Sequence, residues 1–489
     1  MKRSAGILMP ISSLPSPYGI GTLGKAACRF ADFLKKAGQT YWQVLPVGQT
    51  GFGDSPYQSF SSFAGNPYFI DLEQLIADGL LTKAECDATD FGSAADRADY
   101  GKLYRARYPL LETAFSRADL DTPAYLAFLQ DNAGWLPDYA LFMALKEHFD
   151  GKPWTDWDED ARMRKPEALV CYRETFQNRV SFYQFLQYLF YTQWAAFKKY
   201  ANDRGISLIG DVPIYVSADS VDVWANPDEF ELDEARRPVN IAGVPPDYFS
   251  EDGQRWGNPL YRWDRMKENG YRFWIERIGA ASRLFDCIRI DHFRGFASYW
   301  SIPASEPTAR NGKWVKGPGM DFIGAITSWF SGFPIIAEDL GVLTDDVKDL
   351  LKESGLPGMK VLQFAFDADD SDYLPHRYER NCVCYLGTHD NDTTRGWLAT
   401  ASRKAKERAK KYFGLNRSEG FLWGMIRGGM ASPADLFIAQ MQDYLNLGSD
   451  CRMNAPGAAQ GNWGWRMRPD ALTPELARKI RQMTKRYGR

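Results

Sequence analysis

No run of about 18 consecutive apolar residues occurs in the chain, so no segment reads as a membrane-spanning helix. An excess of charge of one sign is also missing. Net charge is −3 and the pI about 6.0, which removes the electrostatic case for a nucleic-acid partner. The basic tail ARKIRQMTKRYGR reads as the solvated face of a terminal helix. Cysteine is sparse and odd in number: seven, at positions 28, 86, 171, 287, 382, 384 and 451. No paired spacing recurs. Cys382 and Cys384 share a strand face, but no second pair completes a metal site. They read as small core residues in a reducing, cytoplasmic setting. The opening MKRSAGILMPIS turns from basic to apolar but is short and broken at Pro10, so a signal peptide is not expected. Linkers rich in Pro, Ser or Gly, low-complexity tracts and internal repeats are absent too, which excludes a string of separate modules.

What the chain does hold is ring surface. Aromatics make up 15%, including 16 Trp, 25 Tyr and 30 Phe. Most must fill the core, but flat apolar rings also stack on the C–H faces of sugars. The reading tilts toward carbohydrate if such rings fall in loops, and Trp256, Trp314, Trp463 and Trp465 are expected there.

Eight short apolar, β-rich runs alternate with amphipathic stretches. They span 5–11, 41–47, 206–214, 285–291, 334–339, 359–366, 382–388 and 451–456. Helices are expected at 181–205, stopping at Gly205, and at 344–355, capped by Thr344 and stopped at Gly355. This alternation predicts a (β/α)8 TIM barrel, with a doubly wound open sheet as the rival. A bare barrel takes about 250 residues. The excess is therefore read as large loop insertions forming subdomains around the active-site mouth. The largest, about 48–205, is a helical or irregular subdomain between strands two and three of one catalytic unit. GIGTLG (19–24) matches a dinucleotide fingerprint, but it neither follows a strand directly nor has an acid at the end of the next one.

Strand ends carry the chemistry. In IRIDHFRGF (288–296), Ile288 and Ile290 alternate with Arg289 and Asp291, so one strand face is apolar and the other charged. Asp211, Glu338–Asp339 and His389–Asp390 close other strands, and barrel strands converge at their C-terminal ends on one mouth. Only four histidines occur, and His292 and His389 both lie beside these acids. Several carboxylates with arginine and histidine in an aromatic-rich mouth suit glycosidic bond chemistry. One carboxylate attacks the anomeric carbon, and another, kept protonated, gives its proton to the leaving oxygen. Arg289 beside Asp291 favours an ionised nucleophile. Glu338, after the apolar PIIA and with no cation on its own strand, is suited to hold a proton. Asp390 is a third acid for sugar hydroxyls. A divalent-metal barrel is the other reading of such acids, but Arg289 competes with a cation.

The motifs GDSPYQ, IGDVPIYV, GVPPDYFSEDGQRWGNPLY, IRIDHFRGF, IIAEDLG, GTHDNDT and MNAPGAAQGNWGWRM, spread over nearly the whole chain, resemble the 4-α-glucanotransferases, glycoside hydrolase family 77. The resemblance implies a retaining transferase acting on α-1,4-glucans and maltooligosaccharides, with no metal or organic cofactor. It implies Asp291 as nucleophile, Glu338 as acid/base and Asp390 as transition-state stabiliser. It implies that Arg289 and His389 hold the nucleophile and sugar, that Tyr57, Asp211 and Trp256 line the site, and that Asp247 lies in a mobile loop over the acceptor side. The alternative with the same acids is an α-amylase-type hydrolase, with water as acceptor. Residues 78–180 read equally as scaffold or as a glucan-shaping subdomain.

Overall fold

The computed structural model describes residues 2–51, 53–92, 94–246, 250–341, 343–458 and 460–489. Eight parallel strands form a nearly closed barrel. Numbered in chain order they are β1 (Ser4–Leu8), β2 (Tyr41–Gln43), β3 (Ser207–Val212), β4 (Cys287–Ile290), β5 (Ile335–Ala337), β6 (Gly358–Val361), β7 (Cys382–Tyr385) and β8 (Leu436–Gln440). Parallel ladders join them in the order β6-β7-β8-β1-β2-β3-β4-β5. At the remaining seam, between β5 and β6, two bonds stand in for a ladder. The Ala337 N–H donates to the Pro357 carbonyl (2.9 Å), and the Met359 N–H to the Asp339 carboxylate (2.6 Å).

Seven of the eight expected segments hold a barrel strand. The last does not: 451–456 is a loop after a 3-10 turn at Ser449–Cys451, and the eighth strand is LFIAQ at 436–440. That run lacks alternation because both its faces are buried, so it reads equally well as part of a helix. The long helix runs from Gln177 to Asn202, with Gly205 beyond it at φ 74°. The second expected helix runs from Asp345 to Ser354, with Thr344 as its N-cap residue and Gly355 at φ 67° after it. Between β2 and β3 lie eight α-helices and, among the described residues, no strand.

Four short strands outside the barrel were not foreseen. Gln254–Pro259, Asn240–Val244, Ser298–Pro303 and Lys313–Lys316 form an antiparallel sheet in that order. Trp256 and Trp314 therefore sit on strands rather than in loops, while Trp463 and Trp465 are buried in a loop that follows β8. The glycines of GIGTLG make room instead of holding phosphate: a Cβ at Gly24 would meet the Asp71 carboxylate at 2.0 Å, and that carboxylate accepts from Thr22 Oγ1.

The two-residue period of a strand sorts each side chain in or out. Leu208, Ile288 and Ile290 pack outward against the helices, whereas Ile209, Cys287, Ile336, Met359, Val383 and Tyr385 fill the barrel interior. Gly6 also faces inward on β1, where a Cβ would come within 2.7 Å of the Tyr41 carbonyl oxygen. Gly6→Ala is expected to cost about 1–3 kcal/mol through this overpacking, read as a lower thermal unfolding midpoint. An unchanged midpoint would show that the strand shifts freely.

Candidate active site

The same period that puts Ile209 and Cys287 inside puts Asp211, Arg289, Asp291 and Glu338 on the inner face, at or just past the C-terminal ends of β3, β4 and β5. Arg289 organises them. Its side chain is 3% exposed. Nη1 donates to both oxygens of Asp211, at 2.8 and 2.6 Å. Nη2 lies 2.9 Å from Asp291 Oδ1 and 3.9 Å from Glu338 Oε2. Those two oxygens thus lie within 6.8 Å of each other, the sum of the two legs through one nitrogen. The bound admits the ~5–5.5 Å of a double-displacement pair and reaches only the short end of the ~6.5–9.5 Å that single displacement by water uses.

Glu338 is held by backbone. The His292 N–H donates to its Oε2 at 2.6 Å and the Leu340 N–H to its Oε1 at 2.7 Å. His292 adopts a left-handed conformation, φ 54°, at the tight turn from which its N–H makes that bond. Burial pushes the Glu338 carboxyl up to about 8, and the Asp291 charge adds to this; Arg289 and the two N–H groups oppose it but do not win. Sequence alone places no cation on the Glu338 strand. The structure brings one from the next strand, and desolvation outweighs it.

His389 and Asp390 follow β7. Tyr57 stacks on His389 with ring centroids 4.9 Å apart and donates its hydroxyl to Asp211 Oδ2 at 2.8 Å. Its oxygen also lies 3.3 Å from His389 Nδ1. With its O–H turned to Asp211, the Tyr57 oxygen accepts from Nδ1–H, while Nε2 faces Asp390 Oδ2 at 3.2 Å. Two donating nitrogens describe an imidazolium. Burial works against that charge, but Asp390 outweighs it and the His389 pKa is raised. Reciprocally, burial would raise the Asp390 carboxyl, yet His389 and then Asn454 hold it well below the usual carboxylate range.

Trp256 meets His292 edge-on at 4.8 Å. Together with Tyr57, Asp291, His389, Asp390 and Trp463 it lines a mouth of about 420 Å³. Eight of the nine site residues named from sequence thus gather at this mouth or on its Arg289 hub; Asp247 lies outside the described residues. Among the described residues, no group of three or more His, Cys, Asp or Glu is arranged to hold a metal ion.

Sequence reasoning missed Asn454. Its Nδ2 donates to Asp390 Oδ1 at 2.6 Å, and its N–H to the His389 carbonyl at 3.2 Å. Arg452 Nη2 donates to the Asp390 carbonyl. The loop closes on itself through Trp463 N–H to Met453 O at 2.7 Å. Reading 451–456 as a strand hid this clamp. The Asn and Trp in MNAPGAAQGNW were the available signal.

Arg289→Lys keeps the charge but loses the planar fork that reaches Asp211 and Asp291 together. Activity of the site is expected to fall about 10²-fold or more, measured as kcat/KM, with the fold retained by circular dichroism. A loss under threefold would show that charge alone suffices.

The whole chain has close relatives. A family model described as 4-alpha-glucanotransferase matches residues 9–473. A 4-alpha-glucanotransferase of Clostridium butyricum is 49% identical over 485 residues, covering 98% of this chain and 100% of that protein. One from Thermus thermophilus is 49% identical over 496 residues, covering 99% and 98%. Among solved structures, the amylomaltase from Streptococcus agalactiae in complex with acarbose superposes with a TM-score of 0.97 at 42% identity, covering 100% of both chains.

Proposed function

The chain belongs to the 4-α-glucanotransferase family, glycoside hydrolase family 77, and from that premise we propose how its residues divide the reaction. The enzyme is a retaining 4-α-glucanotransferase. It moves a segment of α-1,4-glucan from a donor to the 4-hydroxyl of an acceptor glucose or maltooligosaccharide through a glycosyl ester.

In the first step an Asp291 oxygen attacks the anomeric carbon, and the glycosidic C–O bond breaks. Glu338 gives its proton to the departing oxygen, so the leaving chain ends in a neutral hydroxyl. Asp390, ionised and fixed between His389 and Asn454, holds ring hydroxyls of the distorted sugar. Tyr57 and Trp256 offer ring faces, Asp211 pins Arg289, and Arg289 keeps Asp291 in line. Asp247 is assigned to the acceptor side on the resemblance of its loop alone.

Ester formation removes the Asp291 charge. That charge is one of the causes holding the Glu338 proton on, so the Glu338 pKa falls at the moment it must act as a base. Glu338 then takes the proton of the acceptor hydroxyl, the new C–O bond forms, and the ester breaks. Two inversions restore the starting configuration.

The observation that carries this reading is one guanidinium nitrogen facing two carboxyl groups, 2.9 Å from Asp291 and 3.9 Å from Glu338, the second of them buried where the charged form is disfavoured. We further infer a cytoplasmic setting, supported by seven unpaired cysteines. Residues 48–205 are assigned as the inserted subdomain flanking the mouth.

Maltotriose alone is the test. Glucose together with maltopentaose and longer chains is expected within one time course. Glucose and maltose with nothing longer would make water the acceptor and replace this reading by hydrolysis.

A further inference from the structure

IIAED sets two acids side by side, and only Glu338 has a part in the chemistry above. Asp339 is 2% exposed. Its Oδ1 accepts the Met359 N–H at 2.6 Å across the seam between β5 and β6. Gly358 makes room for this: a Cβ there would stand 2.9 Å from both oxygens of the Asp339 carboxylate. In a regular parallel ladder the N–H would bond a carbonyl of the next strand. Here a side chain takes it, so the setting of Met359 depends on the residue that directly follows Glu338.

The two-residue period puts Met359 and Val361 inside the barrel. Met359 is fully buried there. Its Sδ lies 3.4 Å from Arg289 Nε, which donates to it. With that bond every nitrogen of the guanidinium has an acceptor in front of it. Nη1 holds Asp211, Nη2 faces Asp291 and Glu338, and Nε holds the sulfur.

The guanidinium is a rigid plane, so it turns as a body. Asp211 grips one corner, and by itself would let the plane pivot and swing Nη2 off Asp291. A partner at Nε fixes the plane. The kind of partner matters as well. A thioether is a weak, uncharged acceptor on a flexible stem, so it orients Nε without competing with Asp291 for the positive charge. A carboxylate in the same place would compete. A wholly apolar side chain would leave a buried N–H of a cation unpaired, which is unfavourable.

We infer that Met359 and Asp339 are positioning residues of glucan transfer, an inference that rests on the catalytic reading above. The Asp339 carboxylate holds the Met359 backbone, the Met359 sulfur holds Arg289 Nε, and Arg289 holds Asp291 in line with the anomeric carbon. Both act through Arg289 and not on the sugar. The two acids of IIAED thus divide the work: Glu338 passes the proton, and Asp339 sets the cation that faces both Glu338 and the nucleophile.

The test measures kcat and KM for chain growth from maltotriose in the full-length protein. Met359→Leu keeps the volume and removes the acceptor. It is expected to lower kcat about tenfold or more, with KM within about threefold of the parent and the fold retained by circular dichroism. Met359→Gln restores an uncharged acceptor on a stem of similar length, and its kcat is expected to exceed that of Met359→Leu by about threefold or more. A packing role ranks these two the other way. Should the Gln variant not fold, Met359→Leu in an Arg289→Lys background decides: with no Nε to hold, the loss there is expected to stay under about threefold. Asp339→Asn, which keeps an acceptor for the Met359 N–H, is expected to exceed Asp339→Ala in kcat by about fivefold or more. Met359→Leu within threefold of the parent, Leu above Gln, an equal loss in both Arg289 backgrounds, or Asp339→Ala equal to Asp339→Asn overturns the positioning assignment alone. A parent that makes nothing longer than maltotriose overturns the catalytic reading on which it rests.

Discussion

Asp291→Gly is expected to lower glucan transfer by at least about 10⁴-fold, because no other group can form the ester. The substitution leaves Arg289 bound to Asp211, so folding is expected to survive. It also removes one of the charges that hold the Glu338 proton on, so the donor used is an α-glycosyl fluoride, whose leaving group needs no proton. A small anion such as azide can then occupy the space of the lost carboxylate and attack the same face of the sugar. The product expected from an α-linked donor is a β-glycosyl azide, the outcome of a single inversion. Nuclear magnetic resonance of the anomeric proton reads this directly. An α-azide, or transfer within tenfold of the parent, would remove Asp291 from the nucleophile role.

Glu338→Ala separates the two halves of the reaction. Transfer from maltotriose is expected to fall about 10³–10⁴-fold, since the leaving oxygen departs without a proton. An α-glycosyl fluoride needs no such help, so formation of the ester from it should remain fast while its breakdown is slow. Azide then intercepts the ester and gives the α-azide, the opposite configuration from the Asp291 variant. The pH profile adds a second mark. Because the acid is active when protonated, kcat/KM of the parent should fall about tenfold per pH unit above about 8. The limb should be absent from the variant. A parent profile flat to about pH 9.5, or a β-azide from the variant, would assign the proton to another group.

Much of this site could be read from alternation alone. IRID, LIGD and IIAE each place an acid on the face opposite the outward apolar residues, and a barrel brings such ends together. What alternation cannot give is proximity between elements far apart in the chain. Asn454 reaches Asp390 only because a loop after β8 folds over the mouth, and no local period marks that loop. LFIAQ hid as a strand because it is buried on both faces. The antiparallel sheet hid because NIAGV and QRWGNP mix Gly, Pro and polar residues in runs of five and six. The sign of the Glu338 shift followed from PIIA, but its opponents, Arg289 and two backbone N–H groups, had to be seen in space.

The seam in the barrel wall gives the two working carboxyl groups different mechanical surroundings. β4, which ends at Asp291, is laddered on both sides, to β3 and to β5. β5, which ends at Glu338, is laddered only to β4 and is stitched to β6 by a single backbone bond and a carboxylate. The group that must form a bond to carbon along one line is therefore mounted on the stiff part of the wall. The group that only passes a proton, first to one oxygen and then from another, is mounted on the strand laddered on one side only, where a small travel between the two positions strains one ladder instead of two.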